Sequence, residues 1–504
     1  MSRRALTLAT LVVGCGRLDF DPRNTYAITN VEPRWAMPTG GPVAITLSAD
    51  AGSAVVTIDG VPCSSLATSG STIQCTAPAH APGEVAVVAS WPDGSTPPAR
   101  FVYIAPGPHQ LGGPADDRTS GVAIDRDGNV IVTGGTTGDL DGPNHGDFDA
   151  VTIKYDAAGT VAWVRQLGGP LYDYARDVAV DAAGDVTIIG YTAGDLGGHG
   201  NQGSNDVFVA RYTADGMLAW VTQTGSAGDD QAWDLGVDAS GATVVAIQTT
   251  GALGGPSAGG TDYAIARYAA DGSLAWLHQA GTAAEDFGHS LAVAADGTSY
   301  LVGYTTGALE GTNAGGLDMF VARYEADGTR TWLHQRGGAG DDSATDAQLD
   351  PEGDVWIAGN TTGVLDGNAA GGATDVFAMR YAATGTWMLT RVYGGTGDEV
   401  TFGIAPTATA VYLECNTTTG FAGQPYNGGA DDACAIALDR DGAPLWTRVF
   451  GGPTSDEASS IAFDSGLTGF LYVSLITDGG LDGMPSRGGN DIAVAKLDAT
   501  GALR

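Results

Sequence analysis

One unit of 56 or 57 residues, seen well in Gly281 to Arg336, recurs seven times in succession. The glycines that open the copies are Gly112, Gly168, Gly225, Gly281, Gly337, Gly394 and Gly451. A fixed period of this length is the signature of an array, in which each unit buries its apolar face only against its neighbours. Inside a copy, short β-rich runs alternate with Gly/Asp turns, and no run has the apolar spacing of a helix. In copy one, strand a is Ser120 to Asp125 and strand b follows the turn Asp125-Arg126-Asp127-Gly128. A loop of about a dozen residues then leads to strand c, Asp149 to Tyr155, and the turn Asp156-Ala157-Ala158-Gly159 to strand d. Asp-x-x-Gly suits these turns because Gly tolerates positive φ while Asp bonds back to backbone amides.

Four antiparallel strands repeated this often predict an all-β chain whose main body is a seven-bladed β-propeller. Copy seven ends at Asp498 to Arg504 without a Trp-bearing strand d, whereas Gly107 to Gly112 matches the frame of Trp332 to Gly337. The expectation is that residues near His109 to Leu111 complete the last blade and so pair edges that would otherwise be open.

The chain begins with Ser2-Arg3-Arg4 and an apolar run, Ala5 to Gly14, that is too short to span a bilayer and reads as a signal peptide. Val12-Val13-Gly14-Cys15 resembles the bacterial lipobox, which implies cleavage before Cys15 and its lipidation. Two or more acyl chains hold a protein on a membrane stably. Gly16 after the cysteine implies, on that resemblance, the outer membrane. Four cysteines remain, and two disulfides are expected, Cys63–Cys75 and Cys415–Cys434, as suits an oxidising compartment. Neither pair has zinc-ligand spacing.

Residues 27–104 have a different texture. Gly40-Gly41-Pro42-Val43-Ala44-Ile45, Asp59-Gly60-Val61-Pro62-Cys63, Gln74-Cys75-Thr76-Ala77-Pro78 and a closing Phe101-Val102-Tyr103 resemble an IPT/TIG domain, an immunoglobulin-like sandwich. The usual aromatic between Leu47 and Val55 is missing. The expected order is therefore a lipoprotein signal peptide (1–14), a tether (15–26), the sandwich (27–104) and the propeller (105–504). The repeats resemble the seven-bladed repeat family of bacterial surface proteins, in copy one through Gly112-Gly113, Asp116-Asp117, Val122 to Asp125, Gly128-Asn129-Val130, Gly134 and Thr136. Copy four has Ala294 in place of the strand-a Asp, and copy six is eroded at Pro406 to Thr409. This resemblance implies an architecture and a location, with no common activity.

Three positions recur in all copies. An Asp opens strand c (Asp149, Asp206, Asp262, Asp318, Asp375, Asp432, Asp491) and reads as a carboxylate bonded to amides of the preceding loop. A Thr follows strand b (Thr136, Thr192, Thr249, Thr305, Thr361, Thr418, Thr477) and reads as structural. An acid lies five residues after each opening Gly: Asp117, Asp173, Asp230, Asp286, Asp342, Glu399 and Asp456. These seven form either an acidic ring at the channel mouth, with calcium as its candidate ion, or a set of amide-capping carboxylates. Strand d carries Trp163, Trp220, Trp276, Trp332 and Trp446, which read as blade-to-blade packing. With the preceding Gly, as in Gly272 to Trp276, they resemble the tryptophan-docking motif of quinoprotein propellers, whose cofactor residues are not recognisable here.

Fifty-eight acidic residues against 23 basic ones give a net charge of −35, with no basic stripe, and argue against nucleic acid as a partner. No metal-like His pairing occurs, so no cofactor is expected and catalysis has no positive signal. The sequence points to a non-catalytic, membrane-anchored surface or periplasmic binding or scaffold protein that meets a protein or polysaccharide. A lyase, glycosidase or quinoprotein-like propeller enzyme is the alternative. Binding is expected on the face carrying the d-to-a and b-to-c loops, since the opposite face has only short, uniform turns. Tyr172, Tyr174, Trp233, Phe287 and His289 are the least uniform residues there and make up the candidate ligand face.

Overall fold

The computed structural model describes residues 27–32, 35–36, 41–48, 51–80, 83–92, 94–103, 115–156, 160–369, 371–463, 469–477 and 491–503. The signal segment with Cys15 and the closing strand near His109 to Leu111 lie outside these residues. Every element among the described residues is a strand. The chain divides into two compact units, Met1–Ala105 and Pro106–Arg504.

The first unit is a sandwich. One sheet orders Ile28–Glu32, Gly41–Leu47, Thr72–Ala77 and Ser64–Ser69; the other carries Trp35–Ala36, Ala99–Tyr103, Gly83–Trp91 and Val55–Ile58 in that order, with the short strands Val61–Pro62 and Gly94–Ser95. Alternate residues face inward, as a strand with one covered face requires. Val43, Ile45 and Leu47 of the first sheet meet Val56, Ile58, Val87 and Ala89 of the second in a single buried core. Between Leu47 and Val55, where the usual aromatic is missing, the Ala51 carbonyl accepts the Trp91 indole N–H at 3.2 Å. The Cys63–Cys75 disulfide is not formed: both are thiols, hydrogen-bonded to each other through their side chains. Ser64 lies opposite Thr76, so the register sets Cys63 diagonal to Cys75 rather than across from it. Cys415 and Cys434, by contrast, are direct cross-strand partners with Cα atoms 4.7 Å apart, and they are bonded.

In the second unit, copy one folds into the antiparallel sheet Asp117–Ile124, Val130–Thr136, Asp149–Tyr155 and Val161–Leu167, strands a to d in chain order. The next four copies repeat this a-b-c-d order, the fifth adding a two-stranded hairpin. Their inner strands a are Asp173–Val180, Asp230–Val237, Asp286–Val293 and Asp342–Leu349. In copy six, strand a is broken into Glu399–Val400 and Ile404–Pro406, and copy seven contributes Asp456–Phe463, Leu471–Thr477 and Asp491–Leu497 among the described residues. Each inner strand touches the next, and that of copy seven touches that of copy one, so the sheets ring a central channel as propeller blades do.

Packing between blades depends on the strand-d tryptophans. The indole N–H of Trp163, Trp220, Trp276, Trp332 and Trp446 donates to the carbonyl of Ala214, Ala270, Ala326, Ala383 and Ala499 in the following blade, at 2.9–3.4 Å. Each ring lies on the Gly of that blade's c-to-d turn; at Gly272 a Cβ would come within 2.7 Å of Trp220. In blade five Leu389 replaces the Trp, and the Tyr393 hydroxyl reaches Gly442 of blade six instead, at 2.6 Å. A second recurrent contact joins a strand-c cation to the Asp ending strand a: Lys154 to Asp125, Arg211 to Asp181, Arg267 to Asp238 and Arg380 to Asp350. Where blade four has Ala294, Arg323 turns to Tyr300 and Glu325.

Candidate functional site: the channel and its loop rim

The recurrent acids build the loops rather than a ring at the channel mouth. Asp173, Asp230, Asp286, Asp342, Glu399 and Asp456 are fully buried, and each accepts the amide four residues upstream, from Gly169, Ser226, Thr282, Gly338, Gly395 and Gly452. Thr136, Thr305 and Thr417 donate their hydroxyls to the corresponding acids Asp117, Asp286 and Glu399. In blade six the equivalent threonine is therefore Thr417, which also sits opposite Glu399 in the ladder; Thr418 instead accepts the Asp398 amide. Burial raises the pKa of Asp173, Asp230, Asp342 and Glu399, and a neighbouring strand-c Asp adds to this in each case.

The strand-c aspartates complete the latch. In the first four blades, Asp149, Asp206, Asp262 and Asp318 accept both a loop amide and the side-chain N–H of a strand-d glutamine, Gln166, Gln223, Gln279 or Gln335, at 2.7–2.9 Å. The same glutamines take loop amides such as Leu253 N–H at 2.8 Å, so one side chain pins the b-to-c loop at several points. The strand-c Asp carboxylates lie hard against the opening glycines: a Cβ on Gly168, Gly225, Gly281 or Gly337 would sit 2.0–2.1 Å from the Asp oxygen, which explains why Gly opens each copy. Among the described residues no group of three or more His, Cys, Asp or Glu side chains is placed to hold a metal ion.

The copies differ from one another in the channel. In six inner strands the register slips between the second and fourth residues after the acid, leaving the third residue as a bulge. Bulges re-aim side chains. Here the bulged residues are Ser120, Arg176, Trp233, His289, Thr345 and Ser459, and they line a cavity of about 1200 Å³ together with Phe402 of blade six. Of the five candidate residues, Tyr174, Trp233 and His289 border this cavity, whereas Tyr172 and Phe287 do not. The cavity also reaches Pro351 and Thr407 to Thr409 on the turn side, which corrects the expectation that the short-turn face builds no pocket.

One residue further along each strand, Asp177, Asp234, Ser290 and Asp346 join neighbouring blades. Asp234 accepts the Leu291 amide at 2.7 Å, Asp346 the Ile404 amide at 2.8 Å, and Asp177 the Leu235 amide. Ser290 Oγ stands 2.5 Å from Asp234 and 2.9 Å from Asp346. A hydroxyl has one proton to give, so the second contact needs a proton on an acid. Burial, with Asp234 nearby, pushes the Asp346 carboxyl up to about 7, and burial raises Asp177 well above its ordinary range. Glu414 of strand b fills the gap in blade six by accepting the Phe402 amide at 2.6 Å, and burial pushes it up to about 8. None of these acids stood out in the repeat, because its signal lies in what recurs and these positions differ from copy to copy.

On the rim, Phe148 of the first b-to-c loop meets Tyr172 of the following d-to-a loop at 5.3 Å between centroids. Tyr172 stacks on Tyr191 at 5.8 Å and on Tyr174 at 6.0 Å. Arg118 lies over Phe148, and Leu171 beside them is 48% exposed. Phe287 makes a separate pair with Tyr304 at 4.8 Å, so the candidate face divides between two rim clusters and the channel.

The IPT/TIG domain model matches residues 27–103 and the β-propeller repeat model matches 109–141 and 162–197. The regulatory protein FlaEY of Caulobacter vibrioides is 26% identical over 217 residues, which are 41% of this chain and 22% of that protein. The chain thus spans about a fifth of the length of this curated relative. A puromycin hydrolase structure is 14% identical at TM-score 0.45, covering 77% of this chain and 53% of that one. An ulvan lyase bound to -[GlcA(1-4)Rha3S]- is 12% identical at TM-score 0.44, covering 78% and 97%. By these family matches and its own sheets, the chain carries an IPT/TIG domain followed by β-propeller repeats of the SBBP kind.

Proposed function

We propose that this protein is a non-catalytic binding module, lipid-anchored through Cys15 at the outer membrane or cell surface, that engages a polysaccharide or protein through the loop face of its propeller. The observation that carries this reading is the rim cluster of Phe148, Tyr172, Tyr174 and Tyr191, where two loops and two strands of the second blade bring four aromatic rings into contacts of 5.3–6.2 Å beside an exposed leucine. Half-buried aromatics offer broad contact area at little conformational cost, and such residues dominate binding surfaces. The latches beneath them fix the loops, so little ordering is left to be done on binding. Glycan and protein-pulldown arrays test the proposal: the wild type should retain a ligand, and a folded Tyr172→Ala/Tyr191→Ala variant should lose it. Unchanged retention by that variant would refute the patch.

A second reading, a propeller enzyme of the lyase, glycosidase or quinoprotein-like kind, draws on the buried acids Asp346 and Glu414, raised to about 7 and about 8. Raised carboxyls are common at catalytic sites. Here both Asp346 and Glu414 accept backbone amides, which gives each a structural task. Turnover of any screened glycan would move the protein to this class.

A further inference from the structure

We propose that Arg176, Trp233 and His289 form a subsite in the channel for a monoanionic carboxylate ligand of sugar-acid size. The inference rests on the propeller being a binding unit, but places this ligand in the channel instead of on the rim. Arg176 has its guanidinium carbon 4.0 Å from the Trp233 ring centroid and, among the described residues, no ion-pair or hydrogen-bond partner. The other arginines at comparable depth are paired: Arg211 with Asp181, Arg267 with Asp238, Arg380 with Asp354. In a chain of net charge −35, an arginine in a cavity whose N–H donors are unused among the described residues is a specific provision.

The neighbours fit an oxyanion with hydroxyls. Trp233 Nε1 is buried and has no acceptor among the described residues. His289 Nδ1 lies 2.9 Å from the Thr345 carbonyl, which accepts only, so Nδ1 carries the proton and Nε2 offers a lone pair. Burial lowers the His289 pKa and keeps the ring neutral at pH 7. The site thus presents a cationic fork, an indole donor and a neutral acceptor, and Ser120 and Ser459 line the same cavity. Arg176 is the single Lys or Arg among the described lining residues, and the acids Asp177, Asp234, Asp346, Asp350 and Glu457 line the same cavity. A planar carboxylate matches one guanidinium in a bidentate pair, and a dianion such as phosphate would meet uncompensated repulsion. A cavity of about 1200 Å³ admits a hexuronic acid with room for a second sugar ring.

Calorimetry on the full chain with galacturonate, galactose and inorganic phosphate tests this. Galacturonate should bind at least roughly tenfold more tightly than galactose or phosphate, and Arg176→Gln should remove that advantage, the loss of a charge-assisted pair. The variant should still fold, losing only the stacking of Arg176 on Trp233 and no ion pair or hydrogen bond among the described residues. If it does not fold, Trp233→Phe, which removes the indole donor and keeps a smaller aromatic face, should weaken galacturonate several-fold. Tyr172→Ala/Tyr191→Ala should leave galacturonate binding intact, so failure of the rim reading and failure of this one are separable. Equal binding of galactose, preference for phosphate, an unaffected Arg176→Gln, or no heat from galacturonate would each overturn the proposal.

Discussion

Replacing Gly272 by Ala isolates what joins one blade to the next. Gly272 has φ +85°, a conformation that costs an L-residue about 1–2 kcal/mol. Its new Cβ would also stand 2.7 Å from the Trp220 ring, so the indole must move. Displacement endangers the Trp220–Ala270 hydrogen bond of 3.0 Å, worth about 1 kcal/mol net. Loosened ring packing adds a comparable amount, for a total of about 3–4 kcal/mol. Gly353 is the control: its φ is +87°, yet a Cβ there meets nothing within 4 Å. Gly353→Ala should therefore cost only the backbone share of about 1–2 kcal/mol. Urea unfolding of the two variants, followed by circular dichroism, should show Gly272→Ala losing about twice as much stability as Gly353→Ala. Equal losses would refute the role given to tryptophan docking.

Three further outcomes follow from the buried groups. Glu414 rises from 4.5 to about 8 and Asp346 from 3.8 to about 7, so the folded state holds protons that the unfolded chain releases; stability should fall as pH rises from about 4 to about 8 and then level off. Glu414→Gln should flatten that slope and gain on the wild type at pH 8 but not at pH 4, and an unchanged slope would contradict the assignment. Gln279→Ala should expose the Leu253 and Gly254 amides of its latch to hydrogen exchange while leaving the loops of blades five and six, which have Val392 and Val449 at this position, as they were. Removing the Cys415–Cys434 bond should cost about 3 kcal/mol, whereas alkylation of unreduced protein should label Cys63 and Cys75; protection of those two would favour the disulfide expected from sequence.

Much of the architecture was legible because it repeats. The 56-residue period, the Asp-x-x-Gly turns and the strand-d tryptophans each report a contact made several times over, and the sheets of the first five copies follow them strand for strand. The recurrent acids were read correctly as amide caps in one alternative and wrongly as a mouth ring in the other; period alone cannot tell a buried carboxylate from an exposed one. Thr418 was misplaced by one residue because blade six has three consecutive threonines, and only the ladder identifies Thr417 as the partner of Glu399. The Cys63–Cys75 pairing failed on register, which a sequence does not print. Arg176 escaped notice because it sits at a bulge, where an extra residue shifts the in-out alternation that strand patterns rely on. Asking which strand-a position varies most among copies would have found it, with Trp233 and His289 at the same place.

The central claim, that the propeller binds through its rim without chemistry, is most directly tested by passing a library of acidic and neutral polysaccharides over immobilised protein and analysing retained and unretained material by mass spectrometry. The account predicts retention of a subset at unchanged chain length, lost in Tyr172→Ala/Tyr191→Ala. Shortened chains or unsaturated ends in the flow-through, or retention indifferent to that double substitution, would contradict it.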